Sequence, residues 1–370
     1  MIIEYISFSG IAVSLLSILL LFSKKEKKHS DYYLIFWLFI CIFNLGYYLF
    51  PSVLPQAIQS VGFTLPVLSI SVLYLYVISI TFSIEFDGKY ILKHSLFFIF
   101  YNLLFIGISN FYTEIIFTHN IPYFAKGNQG IILDFLALPM ALIPIFYIVL
   151  SYRALRKYQK ILPEYYSTLE KINLNWLKYI FVSLIILLIV IIGVISLGSR
   201  SYYIPVRYVF KIVGTIQSVY IFFIVFFGLR QSILINHSIV FTDLNSEPYK
   251  EKAAPSDGRF DIISQNLLQF MGNEKPYLDE ELSLSKLSSL LGISTNQLSQ
   301  VINQNLNTNF YKFVNSYRIK EVQVKLKDSK YDHYSILGIA FESGFNSKST
   351  FNKIFKEETG MTPSEYKKSR

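Results

Sequence analysis

The stretch LSLSKLSSLLGISTNQLSQVINQNLN, residues 282–307, predicts two short helices joined at a glycine. Leucines at helical spacing give the first helix one apolar face, and Gly292 ends that helix because glycine readily adopts the left-handed conformation. Ser294 then begins the second helix, and Gln297, three residues later, completes an S-x-x-Q capping box. The pattern therefore predicts a helix-turn-helix, expected over about residues 284–304.

A second copy of this pattern makes the prediction specific. Counterparts of Leu287, Ser288 and Gly292 occur 52 residues later, as Ile339, Ala340 and Gly344. Counterparts of Leu298, Ile302 and Asn307 occur 53 residues later, as Phe351, Phe355 and Gly360. Asn can replace Gly at the end of a helix because it also tolerates the left-handed conformation. A second helix-turn-helix is thus expected over about residues 335–359, with a connecting helix at 309–327 that fixes their separation.

These motifs resemble the DNA-binding domain of AraC-type bacterial transcription regulators over about residues 282–368. The residues that match are Ile339-Ala340, Gly344-Phe345, Phe351, Phe355-Lys356, Gly360, Thr362-Pro363 and Tyr366. The sequence departs from the family at Lys348, where proline is frequent, at Lys367, where arginine usually follows the tyrosine, and at Ser288, where alanine is usual. The resemblance implies an all-helical domain that binds double-stranded DNA.

The outward side chains of the two recognition helices carry the predicted contacts. Asn and Gln can bond adenine and Lys can bond guanine, so base contacts are predicted for Asn296, Gln300, Lys348 and Asn352. Phosphate contacts are predicted for Thr295, Ser299, Ser347, Ser349, Lys353 and Lys356. Residues 286–370 hold 13 Lys and Arg against 7 Asp and Glu, which suits phosphate binding. Charge alone would equally hold the domain against anionic lipid, and each of these side chains taken singly could be merely solvated.

The rest of the chain has the composition of a membrane protein. The whole sequence is 52% hydrophobic and 16% charged, with a mean hydropathy of +0.41. Long runs lack charged residues, and one of them, between Asp31 and Glu85, contains 53 residues and a proline-containing turn. Since about 20 apolar residues cross a bilayer, the runs predict a seven-helix transmembrane bundle. The expected spans are 5–23, 32–50, 61–84, 95–113, 133–152, 179–199 and 210–229.

The distribution of Lys and Arg predicts the orientation. Loops after spans one, three and five hold 12 of these residues, whereas the other loops hold 3. Because cationic loops are retained in the cytoplasm, the N-terminus is expected outside and the C-terminal domain in the cytoplasm. The resemblance to bacterial regulators implies that the membrane is the inner membrane of a bacterium. The first span lacks a basic segment before it and is expected to remain as an anchor.

Three regions are expected: a transmembrane domain at 1–235, a linker at 236–258 and an AraC-type domain at 259–370. Residues 167–179, STLEKINLNWLKY, are similar to a polar segment before the sixth span in membrane-bound AraC-type regulators. The same segment could equally be an interfacial helix, with Trp176 at the headgroups.

A candidate sensory pocket is suggested by ionisable residues at the outer ends of the spans. They are Asp134, Arg200, Arg207 and Lys211. The alternative is that all four reach the lipid headgroups, and their shallow depth favours it. Pro139 and Pro144 are expected to kink span five, which either opens a cavity or is tolerated by packing.

The sequence predicts no enzyme, since no catalytic, metal or cofactor motif occurs in it. The favoured interpretation is a membrane-embedded transcription regulator that couples a small-molecule or membrane-state signal to DNA binding, with a homodimer as a candidate assembly. RNA polymerase is a further expected partner if the protein activates transcription. One alternative is a receptor or transporter with a subordinate DNA-binding tail. Another is that the spans only tether the DNA-binding domain.

Overall fold

The computed structural model describes residues 2–50, 55–111, 114–118, 121–124, 130–170, 172–198, 206–234 and 259–369. Across these ranges the chain forms fourteen α-helices and one pair of β-strands. The contacts between residues divide the chain into two compact units. The first comprises Met1–Tyr158 and Leu174–Ser246, and the second comprises Gln159–Asn173 and Glu247–Arg370.

Seven apolar helices build the first unit, which confirms the all-α prediction. They are α1 (Ile2–Ser23), α2 (His29–Leu49), α3 (Gln56–Phe82), α4 (Gly88–Phe111), α5 (Gly130–Tyr165), α6 (Asn175–Gly198) and α7 (Val206–Leu234). Among the described residues, six of them are long and apolar enough to cross a membrane. In α6 the described apolar stretch, Asn175–Val190, is shorter. The count of seven spans is therefore approximate.

The core of this unit lies along α2 and α3, whose buried side chains include Tyr33, Leu38 and Leu75. Helices α1 and α7 approach closely through small residues. A Cβ atom added at Gly10 would lie 2.2 Å from the Ser218 hydroxyl of α7. Small residues at helix contacts are the usual means of close packing between apolar helices in lipid.

Two features of the first unit differ from the sequence interpretation. Strands β1 (Ile115–Thr118) and β2 (Ile121–Phe124) pair antiparallel where only a loop was expected. Ile115 is buried against Tyr101 and Phe105 of α4, which gives the hairpin an apolar anchor. Helix α5 also continues well beyond the predicted end of span five, because its polar part still buries side chains at helical spacing. These side chains are Leu155, Tyr158 and Leu162.

Seven further helices occur in the second unit. They are α8 (Arg259–Asn273), α9 (Leu284–Leu291), α10 (Thr295–Gln300), α11 (Phe310–Lys327), α12 (Ile336–Glu342), α13 (Lys348–Thr359) and α14 (Pro363–Lys368). The pairs α9–α10 and α12–α13 occupy the positions of the two predicted helix-turn-helix motifs. The predicted linker at 236–258 lies outside the described residues.

Helix α11 joins two small hydrophobic cores. Its first half contributes Phe310, Phe313 and Val314 to a core with α8, α9 and α10. Its second half contributes Ile319 and Val322 to a core with α12 and α13. Because one rigid helix supplies side chains to both cores, it fixes the spacing of the two motifs.

Residues 159–173, which are the end of α5 and the segment that follows it, belong to the second unit rather than to the first. The sequence interpretation had assigned them to the transmembrane domain at 1–235. Hydrogen bonds explain the difference, since Ser167 Oγ donates to the carbonyl of Leu282 at 2.6 Å and Thr168 Oγ1 to that of Glu280 at 3.0 Å. Tyr166 and Ser283 also form an isolated β-bridge.

Candidate nucleic-acid interface

The first recognition helix, α10, begins with the predicted capping box. Ser294 Oγ accepts a hydrogen bond from the Gln297 backbone N–H at 3.2 Å, and Gln297 Oε1 accepts one from the Ser294 N–H at 3.1 Å. These two bonds satisfy amides that a helix start leaves without partners. Leu298 is fully buried, and Asn296 is exposed on the other side. The predicted polar face is thus available to a ligand.

The residues after α10 continue as one wider helical turn, Val301–Asn305. Val301 and Ile302 of this turn are buried in the core, and Asn303 is exposed. The helix ends at Asn307, whose φ angle of 48° lies in the left-handed region. This confirms the expectation that Asn there takes the place of a helix-ending glycine.

The second recognition helix, α13, is capped by Ser347, whose Oγ accepts a hydrogen bond from the Thr350 N–H at 3.4 Å. Phe351, Ile354 and Phe355 form its buried side. Five predicted contact residues are exposed on this helix: Lys348, Ser349, Asn352, Lys353 and Lys356. Capping and burial together therefore orient a polar, basic face outward.

The remaining predicted contacts are less accessible. Gln300, Thr295, Ser299 and Ser347 are partly buried. Thr295 Oγ1 lies 3.4 Å from the Ser288 hydroxyl, and Ser299 Oγ accepts a hydrogen bond from Asn303 Nδ2 at 3.4 Å. Both contacts are long and involve side chains that can reorient. These assignments remain predictions.

An exposed ion pair lies on the basic face, between Lys353 Nζ and Glu357 Oε1 at 3.9 Å. An exposed pair at this distance contributes at most about 0.5 kcal/mol. A phosphate can therefore displace the carboxylate from Lys353 at small cost.

Sequence reasoning missed Arg318, which is among the largest fully buried side chains of the chain. Its Nε donates to the carbonyl of Tyr277 at 2.8 Å, and its Nη2 donates to the carbonyl of Asp279 at 2.7 Å and to Ser167 Oγ at 3.1 Å. Burial lowers the pKa of Arg318 to about 10, and the nearby Asp279 opposes that shift. The sequence does contain a pattern that indicates this residue. Val314, Arg318 and Val322 are spaced four residues apart, so the arginine lies on an otherwise apolar face of the helix.

Sequence reasoning also missed Glu170, a residue of the segment between α5 and α6. Its Oε1 atom accepts hydrogen bonds from Ser347 Oγ at 2.5 Å and from Ser349 Oγ at 3.2 Å. The hydroxyl of Thr350 donates to the same oxygen. Three hydroxyl groups at the start of α13 therefore converge on one carboxylate. No spacing pattern connects residue 170 to residues 347–350, so the sequence held no signal for this contact.

Among the four candidate sensory residues, the structure describes the side chain of Lys211. Lys211 Nζ pairs with Glu4 Oε1 at 2.6 Å, between α7 and α1. Asp134 lies on α5 and Arg207 on α7, and Arg200 lies outside the described residues. These four residues remain a prediction for the sensory site.

A cavity of about 150 Å³ lies instead among α2, α3, α5, α6 and α7. Pro144 of α5 lines it, together with Trp37, Asn44 and Gln217. Trp37 Nε1 and Asn44 Oδ1 have no hydrogen-bond partner among the described residues. Both atoms belong to residues that line the cavity.

Comparison with known proteins agrees with this geometry. Residues 287–369 match a family described as a helix-turn-helix domain. An uncharacterized HTH-type transcriptional regulator of Staphylococcus aureus strain COL is 35% identical over 94 residues, which are 25% of this chain and 12% of that protein. The uncharacterized HTH-type transcriptional regulator YtdP of Bacillus subtilis strain 168 is 24% identical over 125 residues, which are 34% of this chain and 15% of YtdP.

The matched part is thus a small share of each curated relative, and no solved structure matches the chain significantly. The similarity coincides with the two helix pairs joined by α11, the part of the second unit that carries the exposed polar faces. The C-terminal region of this chain is therefore a helix-turn-helix domain of the AraC type, the DNA-binding module of transcription regulators.

Proposed function

We propose that the whole chain is a membrane-embedded, sequence-specific transcription regulator in which the first unit receives a signal and the second unit binds DNA. The observation that carries the proposal is the presence of two capped recognition helices, α10 and α13, in a chain that also holds six helices able to cross a membrane. The excess of Lys and Arg in alternate loops supports a cytoplasmic location for the second unit.

Sequence-specific binding would use the exposed amides and lysines of the recognition helices. In this mechanism Asn296, Gln300, Lys348 and Asn352 read base edges, and hydroxyl and lysine side chains beside them hold phosphates. The chemistry proposed for these side chains is hydrogen bonding and charge, as a DNA-binding module requires. Reception of the signal is supported by the cavity among five helices of the first unit.

The test uses the full chain in lipid nanodiscs, mixed with a pool of genomic DNA fragments at physiological salt. The wild type should enrich a small set of fragments. A variant with alanine at the four predicted base-contact positions should lose that enrichment and keep its helical content. Enrichment that is unchanged in the variant would place base reading elsewhere. The proposal of specific DNA binding fails if neither the wild type nor any variant that keeps the four residues enriches a fragment.

A chimaeric protein separates signalling from tethering. If the first unit has no sensory role, it is needed only as an anchor. The part to be replaced comprises residues 1–158 and 174–235. A chimaera in which one unrelated span carries the DNA-binding unit should then regulate the enriched target genes as the native chain does. We expect instead that the chimaera binds the same fragments but gives constant transcription under conditions that change it for the native chain.

A further inference from the structure

We infer that the segment between α5 and α6 is an internal competitor of DNA, in which the Glu170 carboxylate occupies the place of a DNA phosphate at the start of α13. The inference rests on the proposed function, since it needs α13 to bind DNA. It is carried by the contacts that residues 166–170 make within the second unit.

The chemistry of the two ligands is the same. Ser347, Ser349 and Thr350 all direct hydroxyl groups at Glu170 Oε1, and the amides of the first turn of α13 add a partial positive charge. An anionic oxygen at this end of a recognition helix is what a DNA backbone supplies. One set of hydroxyl groups can serve either the carboxylate or a phosphate, so the two states exclude each other.

A buried anchor holds the segment in place. Ser167 is 1% exposed, its Oγ accepts a hydrogen bond from Arg318 Nη2 at 3.1 Å, and its carbonyl accepts one from Asn315 Nδ2 at 3.1 Å. Arg318 and Asn315 are themselves buried. Buried polar groups cost free energy unless they are paired, so these bonds define one position for the segment.

The strength of the competition follows from this arrangement. Glu170 is exposed, and an exposed carboxylate bound to hydroxyl groups holds only weakly by itself. The anchor at Ser167, three residues away, turns its binding into an intramolecular event at a high effective concentration. A weak contact can then compete with DNA and still be displaced.

The position of the segment in the chain provides a way to regulate the competition between Glu170 and DNA. Its ends are covalently continuous with α5, which ends at Tyr165, and with α6, which begins at Asn175. A change in the packing of these two apolar helices would pull on the segment and withdraw Glu170. Signal and DNA would then be linked through a residue that touches neither the cavity nor a base.

The first experiment measures DNA affinity of the full chain in nanodiscs, with a fragment that the wild type enriches. Glu170→Gln should increase the affinity by about tenfold. Glu358→Gln is the matched control, because it removes the same charge from an exposed position in the last turn of α13. An equal increase in the DNA affinity of both variants would show that the loss of one negative charge alone causes the effect, and it would overturn the inference.

The second experiment holds position 170 against the start of α13 with a covalent bridge. Cysteines replace Glu170 and Ser349 in a chain with Cys41→Ala, and a short bis-maleimide bridges them. The bridged chain should lose most of the affinity of the same double-cysteine chain without the bridge, which is the reference because Ser349→Cys itself removes a predicted phosphate contact. Full affinity of the bridged chain would overturn the competition. If wild type binds no fragment at all, the proposed function fails first, and a gain of binding in Glu170→Gln alone would restore both.

Discussion

Arg318 Nε donates a hydrogen bond to the carbonyl oxygen of Tyr277 at 2.8 Å, and both atoms lie directly against Gly344. The turn of the second helix-turn-helix is thereby packed onto the helix that connects the two motifs. A side chain at position 344 would collide with these two atoms, so glycine is required there by the available space as well as by its backbone angle. At the corresponding Gly292 of the first motif no atom is close enough to collide. Mutating each glycine to alanine therefore distinguishes the cost of the backbone angle from the cost of the collision.

Gly344→Ala should destabilise the second unit strongly. Its φ angle is 91°, and an added Cβ would lie 2.2 Å from the Tyr277 carbonyl oxygen and 2.8 Å from Arg318 Nε. Backbone strain and overpacking together predict a loss of about 3 kcal/mol or more. Gly292→Ala, with a φ angle of 66° and no atom within 4 Å, should cost about 1 kcal/mol.

Hydrogen exchange of the α9 and α12 amides in the full chain measures both effects. The prediction requires faster exchange in α12 of Gly344→Ala than in α9 of Gly292→Ala. Equal acceleration in the two variants would show that the backbone angle alone decides the cost.

Arg318→Lys should also destabilise this unit, although the charge is kept. A lysine cannot serve the carbonyls of Tyr277 and Asp279 and the Ser167 hydroxyl with the planar geometry of a guanidinium. Leaving buried acceptors unpaired predicts a loss of about 3 kcal/mol. Lys312→Ala, exposed on the same helix, should change stability by less than about 0.5 kcal/mol.

Exchange of the α11 amides is again the measurement. The segment 166–170 should lose its protection in Arg318→Lys at the same time, because Ser167 loses a donor. Protection that persists in this segment would mean that Leu282 and Glu280 hold it without the arginine.

The local structure of the DNA-binding unit could be predicted from the sequence, and individual residues show why. Ser294, Gln297 and Asn307 act through neighbours in the chain, so their spacing predicts their conformation. Apolar runs likewise predict helices in the first unit, since a charge inside a span is costly. These features need no knowledge of long-range contacts.

Contacts between distant residues could not be derived in the same way. The segment at 159–173 carries no pattern that associates it with Arg318 or Ser347, and its position follows from hydrogen bonds across more than a hundred residues. The hairpin at Ile115 was missed because two short strands leave little alternation to detect. Pro144 was expected to kink span five, and the cavity that it lines also depends on four other helices.

Glu321→Gln should lower stability near neutral pH and have no effect in acid. Burial alone would raise the pKa of Glu321, but hydrogen bonds from Lys275 Nζ at 3.0 Å and Tyr277 Oη at 3.1 Å, with the charge of Lys325, hold it below its usual value of 4.5. A lowered pKa in the folded state stabilises the fold above the unfolded pKa. That contribution, about 1 kcal/mol, is lost as the pH falls through the folded value.

The measurement is protection of the α11 amides in wild type and in Glu321→Gln across pH 3 to 7. The two curves should differ at pH 7 and converge below pH 4.5, after correction for the intrinsic exchange rate. A difference that stays constant over this range would assign the effect to packing rather than to the carboxylate.

Asn352→Ala and Lys356→Ala should separate the two kinds of DNA contact on α13. Both residues are exposed on this helix, and Asn352 is a predicted base contact whereas Lys356 is a predicted phosphate contact. Asn352→Ala should weaken binding to the enriched site by about 1–3 kcal/mol and leave binding to unrelated DNA unchanged. Lys356→Ala should weaken both kinds of binding and reduce the salt slope of log K by about 1.

Titrations of the full chain with specific and unrelated duplexes at several salt concentrations give both quantities. If Asn352→Ala lowers the two affinities equally, its side chain contacts the backbone and base reading on α13 falls to Lys348. If Lys356→Ala leaves the salt slope unchanged, no phosphate lies near the last turn of α13. The phosphate contacts of α13 would then lie nearer its start, where Ser347 and Ser349 bind Glu170 and where the carboxylate competes with DNA.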